Sequence, residues 1–153
     1  FRYFDITEFI KNIINEFSLM TEEKNIKLIF NPSNEKLQVF GDKEKLKQVF
    51  VNLLQNAIKY TDEGSVEIII QEEKKFVEIS INDTGIGIPE EDLNRIFERF
   101  YRVDKARSRD IGGTGLGLAI TKHMVKSLGG NITVESILGI GSDFIVTIPV
   151  DIK

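Results

Sequence analysis

Asn52, Asn56 and Lys59 stand four and three residues apart, in a stretch whose apolar residues also recur every three or four positions. On a helix turning 100° per residue they fall within a sector of about 60° that borders the apolar stripe, with Tyr60 close by. Two carboxamides and an ammonium can ligate a hard cation through oxygen and pair with phosphate, and none of them adds negative charge. A solvated polar edge of a helix would have the same composition. Further along, Val77, Ile79 and Ile81 share parity with Asp83, so a strand would turn all four to one buried side. A carboxylate ending a core-facing row needs hydrogen-bond donors, because burying its charge is otherwise costly. Neighbouring loop N–H groups could supply them. Gly85 and Gly87, directly after it, suggest instead a pocket floor that a ligand's amino group approaches.

Six of the 12 glycines lie between positions 85 and 117. Glycine lets backbone come close to a ligand and adopts positive φ, both of which a phosphate-cradling loop uses. The run Gly113-Thr114-Gly115-Leu116-Gly117-Leu118 opens a helix whose free N–H groups and positive dipole end favour phosphate. A flexible hinge before a helix is the competing reading. Other phosphate and metal motifs are excluded: there is no P-loop, no Gly-x-Gly-x-x-Gly spacing and no aspartate-rich calcium loop. With no cysteine and one histidine, disulfides, thiolate nucleophiles and Cys/His zinc patterns are excluded too. The net charge of -4 argues against nucleic acid as a partner, so any polyanion must be held by a local site.

Periodicity predicts the elements that must position these residues. Ile6, Phe9, Ile10, Ile13, Ile14, Phe17 and Met20 predict one amphipathic helix over the first ~20 residues, with Asp5 and Glu8 resembling a capping box. Ile26 to Phe30 and Leu37 to Phe40 read as strands around the Asn-Pro-Ser-Asn turn at 31 to 34. A helix from Asp42 carries Leu46, Val49, Phe50, Leu53, Leu54, Ala57 and Ile58 on one stripe and stops near Asp62-Glu63-Gly64. Strands run over Val66 to Gln71 and Phe76 to Asp83. Pro89 and three acids start a helix with Leu93, Ile96, Phe97 and Phe100 as its apolar residues. Residues 101 to 113 show no periodicity. A helix from about Gly115, with Leu116, Ala119, Ile120 and Met124 on its apolar arc, ends at Gly129-Gly130, and a hairpin of Asn131 to Ser136 and Phe144 to Val150 closes the chain. The fold class is α/β, one domain over residues 1–153. No apolar run approaches the ~18 residues of a membrane span. The opening Phe1-Arg-Tyr-Phe4 is neither a signal peptide nor an initiator sequence, so the chain is expected to be a soluble piece of something longer.

Taken together and in order, Asn52-Leu-Leu-Gln-Asn56-Ala-Ile-Lys59-Tyr60, Asp83-Thr-Gly85-Ile-Gly87-Ile88-Pro89, Phe97-Glu-Arg99-Phe100-Tyr101-Arg102 and Gly113-Thr-Gly115-Leu-Gly117-Leu118 resemble the N, first glycine, F and second glycine boxes of bacterial sensor histidine kinases. The resemblance covers nearly the whole chain. It implies the ATP-binding catalytic domain of that family, a Bergerat-type two-layer α/β sandwich shared with gyrase-like and mismatch-repair ATPases. Its mixed, mostly antiparallel sheet would have about five strands, covered on one face by helices.

Carried over by position, the resemblance implies that Asn56 ligates Mg²⁺ with the ATP phosphates, while Asn52 and Lys59 lie along the triphosphate and Tyr60 packs by the nucleoside. Asp83 would accept from the exocyclic amine of adenine, with Gly85, Gly87 and Ile88 closing backbone on the base. Residues 101–114, with Tyr101, Arg102 and Lys105, would form a mobile lid over ATP. Arg102 is expected at the γ-phosphate and Arg99 second, although Arg99 also fits a plain exposed residue. Gly113, Thr114, Gly115, Leu116, Gly117 and Leu118 would border the nucleotide at the lid's far end.

A phosphoaccepting histidine on a helical dimerisation domain has no counterpart here; His123, among apolar neighbours on the last helix, reads as packed or at the rim. The implied partners are ATP, the histidine-bearing dimerisation domain and a response-regulator receiver domain. The isolated domain would be monomeric and cytoplasmic, and its parent a homodimer anchored in the bacterial membrane. Two other classes stay open: a nucleotide-sensing regulatory module, and another ATPase or serine kinase of the same superfamily. The Phe-Glu-Arg-Phe-Tyr-Arg run speaks against the latter, as does the lack of a water-activating glutamate in the N box.

Overall fold

The computed structural model describes residues 1–32, 36–99 and 117–150. The chain starts as a short strand, β1 (Arg2–Asp5), because Tyr3 and Phe4 find a distant partner in Val39 and Phe40. Asp5 then caps α1 (Ile6–Glu16): its Oδ1 accepts from the N–H of Thr7 at 3.0 Å and from that of Leu37 at 3.1 Å. The single helix that periodicity predicts is therefore preceded by a strand and broken at Phe17. It resumes as α2 (Ser18–Lys24) and closes on Asn25 in the left-handed region, φ 58°. α1 keeps the expected apolar face, but α2 buries only Thr21 and leaves Leu19 and Met20 exposed, so the stripe that spacing carries on to Met20 ends at Phe17.

After β2 (Ile26–Pro32), β3 (Gln38–Gly41) turns back to pair antiparallel with β1, outside the main sheet. Asp42 caps α3 (Lys43–Lys59) by accepting from the N–H groups of Glu44 and Lys45 at 3.0 and 3.3 Å. The buried stripe of α3 is the expected one, from Leu46 to Ile58. β4 (Gly64–Glu72) and β5 (Phe76–Asp83) form a hairpin in which Val66 stands opposite Asp83.

Pro89 does not start an α-helix. A 3-10 helix, Glu90–Asp92, is followed by turns through 99, with bonds of the i→i-3 kind from Asp92 to Pro89, Leu93 to Glu90, Arg95 to Asp92 and Glu98 to Arg95. Asp92 and Asn94 are weak helix formers, and Ile96 is the segment's one buried hydrophobic anchor among the described residues. α4 (Gly117–Ser127), β6 (Asn131–Ile137) and β7 (Gly141–Pro149) complete the chain.

The main sheet has the order β2-β4-β5-β7-β6, with β2 parallel to β4 and every other pair antiparallel. Alternation along the strands sends Val66, Ile68 and Ile70, Val77, Ile79 and Ile81, and Phe144, Val146 and Ile148 into one core with the stripe of α3. Burying such side chains contributes about 1.5–3 kcal/mol each. This is the expected two-layer α/β sandwich, and it lays α3 beside α4 and against β5, the strand that ends at Asp83. No helix among the described residues is long and apolar enough to cross a membrane.

Candidate functional site

The centre of the site is the end of β5, where Asp83 is only 5% exposed. Two backbone N–H groups reach the same carboxylate oxygen: those of Gly85 and Ser142 donate to Oδ1 at 2.9 and 3.3 Å. Loop and strand donors thus do satisfy the carboxylate, yet both fall on one oxygen. Among the described residues Oδ2 has no hydrogen-bond partner. Burial pushes the Asp83 carboxyl above its ordinary range, and the bonds from Gly85 and Ser142 oppose that shift. One oxygen is thus held by backbone while the other has no partner among the described residues.

The loop after Asp83 is clamped on two sides. The N–H of Ile86 donates to the carbonyl of Tyr60 at 3.1 Å, joining the loop to the end of α3. Gly139 N–H donates to Ile86 O at 2.7 Å, and Ile88 N–H to Ser136 Oγ at 2.8 Å, joining it to the β6–β7 turn. The glycines serve this clamping directly. A Cβ on Gly85 would stand 2.3 Å from Tyr60 O, and one on Gly87, whose φ is +75°, would stand 2.2 Å from Ile137 O. Where the Cβ would project there is protein backbone, so close chain-to-chain approach already requires both glycines. Gly117 differs: among the described residues a Cβ there would meet nothing within 4 Å.

Asn52, Asn56, Lys59 and Tyr60 are all half-buried on α3 or its cap, as the helical sector predicts. The carboxamide of Asn56 has no hydrogen-bond partner among the described residues, whereas Asn52 Nδ2 donates to Thr121 Oγ1 of α4 at 3.3 Å. Among the same residues no group of three or more His, Cys, Asp or Glu side chains could hold a metal ion. A cation at α3 therefore fits only if neutral oxygens such as that of Asn56 are joined by oxygens from an anionic ligand. The side chains of Ile88 and Leu118 pack against the core. Arg99 is exposed. Tyr101, Arg102, Lys105, Gly113, Thr114, Gly115 and Leu116, with the lid assigned to 101–114, lie outside the described residues.

Four residues that chemistry-bearing spacing did not single out hold the site together. Thr61, fully buried, donates to Ala57 O at 2.8 Å and abuts Gly85. Ser136 donates to Gly141 O at 2.8 Å and lies 2.9 Å from the hydroxyl of Ser142. Thr121 is buried in α4. The signal was present for Ser142, which shares parity with Phe144, Val146 and Ile148 and so repeats the pattern of a polar residue ending a core-facing row. His123 is exposed rather than packed, because α4 buries Thr121 and Val125, with Leu128 just after it, instead of the arc through Ala119 and Ile120.

Residues 41–152 match the family model described as "Histidine kinase-, DNA gyrase B-, and HSP90-like ATPase". The chain belongs to this family. Within it, the sensor histidine kinase WalK of Bacillus subtilis is 45% identical over 150 residues, covering 96% of this chain and 24% of WalK. The signal transduction histidine-protein kinase BarA of Escherichia coli is 36% identical over 156 residues, covering 98% of this chain and 17% of BarA. The chain thus spans about a quarter or less of the length of these curated relatives. Among solved structures, the nucleotide-free catalytic domain of histidine kinase ThkA superposes with a TM-score of 0.87 at 34% identity, covering 98% of this chain and 95% of that one. The fold and family that the four boxes imply are therefore those found: a histidine-kinase-type catalytic ATPase domain of mixed α/β architecture.

Proposed function

We propose that this domain binds ATP with Mg²⁺ between α3 and the end of β5, and presents the γ-phosphate to a histidine on a helical dimerisation domain of its parent protein. The observation that carries the reading is Asp83: a buried carboxylate with one oxygen held by two backbone donors and the other left to accept. An ionised carboxylate only accepts hydrogen bonds, so it suits the amine of adenine and opposes the carbonyl oxygen that guanine presents at the matching position. At the other end of the site, Asn56 would hold Mg²⁺ through its carboxamide oxygen and Lys59 would pair with phosphate. Mg²⁺, when bound, neutralises phosphate charge during transfer. Arg102 is assigned to the γ-phosphate, with Arg99 as the second candidate. The chain's own part is to bind the base, hold the phosphates and orient them; the acceptor lies elsewhere.

Two similar structures support the reading by what they contain. Full-length ShkA was solved with AMPPNP, at a TM-score of 0.83 and 30% identity. ThkA was solved in complex with the response regulator protein TrrA, at 0.83 and 32%. By the same reading the parent of this domain is a membrane-anchored homodimer that passes its phosphoryl group to a receiver domain. The test is calorimetric titration of ATP with and without Mg²⁺, repeated on Asn56→Ala, then phosphotransfer to a supplied histidine-bearing domain. Mg²⁺-dependent binding that Asn56→Ala weakens supports the assignment. Equal metal dependence in both proteins removes Asn56 as the ligand.

A further inference from the structure

Thr121 is wholly buried at the contact of α3 and α4, with its hydroxyl between two groups that the site uses. Its Oγ1 lies 2.8 Å from the carbonyl oxygen of Gly117, where the glycine run enters α4, and 3.3 Å from Asn52 Nδ2. A hydroxyl has one proton, and a carbonyl oxygen can only accept. The proton is therefore committed to Gly117, and Thr121 meets Asn52 as an acceptor. That settles which end of the Asn52 carboxamide faces α4: it must be Nδ2, because Oδ1 in its place would set two acceptors against each other.

The consequence reaches the site. With Nδ2 turned to α4, Oδ1 is the end left over, without a partner among the described residues and one helical turn from Asn56. An acceptor there repels phosphate oxygens and attracts a cation or the water bound to one. The family resemblance implies that Asn52 lies along the triphosphate; its orientation matches the metal better. We propose that Thr121 is a positioning residue for the nucleotide site, whose hydroxyl orients Asn52 as an oxygen donor to hydrated Mg²⁺ and ties the first turn of α4 to α3. The proposal rests on the ATP and Mg²⁺ reading above.

The experiment compares Thr121→Val, which keeps the shape and removes the hydroxyl, with Thr121→Ser, which keeps the hydroxyl. In the nucleotide-free protein, the side-chain amide signal of Asn52 in a ¹⁵N spectrum should shift in Thr121→Val and hold its parental position in Thr121→Ser. The Mg²⁺ concentration for half-maximal binding of a non-hydrolysable ATP analogue should rise about five- to tenfold in Thr121→Val, the worth of one ordinary hydrogen bond, and stay within about twofold of the parent in Thr121→Ser. Adenosine, which has no phosphate, should bind all three alike. An Asn52 signal unmoved in Thr121→Val, an unchanged Mg²⁺ requirement alongside a lowered melting temperature, or a serine variant that behaves like the valine one would each overturn the positioning role. A parent protein that binds no nucleotide with Mg²⁺ would overturn the functional reading and this proposal with it, even if the Asn52 signal shifts as expected.

Discussion

Replacing Asp83 by asparagine should move binding and stability in opposite directions. The carboxamide oxygen can take the place of Oδ1 and keep the bonds from Gly85 and Ser142, so the loop geometry survives. At the position of Oδ2 an NH₂ then meets the amine of adenine, donor against donor. The loss is one charge-assisted hydrogen bond, about 1.5–3 kcal/mol, or roughly 10- to 150-fold in ATP affinity. Stability runs the other way. Burial raises the folded-state pKa of Asp83 above its unfolded value, so the carboxyl's contribution is fully present below the unfolded pKa and is lost as pH rises through the folded one. At neutral pH the ionised group therefore costs stability, and nucleotide-free Asp83→Asn should melt above the parent by a margin that vanishes in acid. ATP affinity of the parent should fall as pH drops through the raised pKa of Asp83, while the variant stays flat there. Competitive displacement of a fluorescent ATP analogue by ATP and GTP, with melting curves across pH, measures all of this. An asparagine variant that binds ATP as tightly and as selectively as the parent refutes the assignment of Asp83 as the adenine reader.

Gly87→Ala should lower the melting temperature, since left-handed φ alone costs about 1–2 kcal/mol for a residue with a Cβ and Ile137 O blocks the space. Among the described residues Gly117→Ala meets no such obstacle, so it should leave stability unchanged or raise it by up to ~1 kcal/mol, and weaken only Mg²⁺–ATP binding in the same titration. Asp143, on the sheet face away from the helices, has a buried Oδ1 without a partner among the described residues. Burial, then the charges of Glu135, Glu78 and Asp83, hold its carboxyl above the ordinary range. Asp143→Asn should therefore melt higher at neutral pH, lose that gain below the unfolded carboxyl pKa and leave ATP affinity unchanged. Leu53→Ala, at a fully buried position of α3, should cost about 2–5 kcal/mol in urea unfolding.

Elements whose burial is set by local periodicity were legible in the sequence. The stripe of α3 and the parity of β5 place Asn56 and Asp83 where spacing alone puts them, and the order of the four boxes carries the family. Non-local pairing was not legible. Nothing near Arg2–Asp5 announces that Gln38–Gly41 will pair with it, and the apolar spacing from Ile6 to Met20 is the same whether or not the helix breaks at Phe17. The stripe of α4 was misread for a different reason. Its buried row contains Thr121, a polar residue that a hydrophobicity pattern assigns to the surface and that hydrogen bonds to Gly117 and Asn52 bring inside. The glycines of the Asp83 loop show a third limit. Their type signals close approach, but not whether the approaching atoms belong to a ligand or, as at Tyr60 and Ile137, to the protein's own backbone.

The central claim is that one ligand touches both the polar edge of α3 and the end of β5. Titrating ¹⁵N-labelled protein with a non-hydrolysable ATP analogue and Mg²⁺ tests it most directly. Saturable shifts should appear together at Asn52, Asn56, Asp83, Gly85 and Gly117, while Glu78, Thr133 and Asp143 on the other face of the sheet stay in place. Shifts confined to that other face, or no saturable change with Mg²⁺ present, would contradict the account.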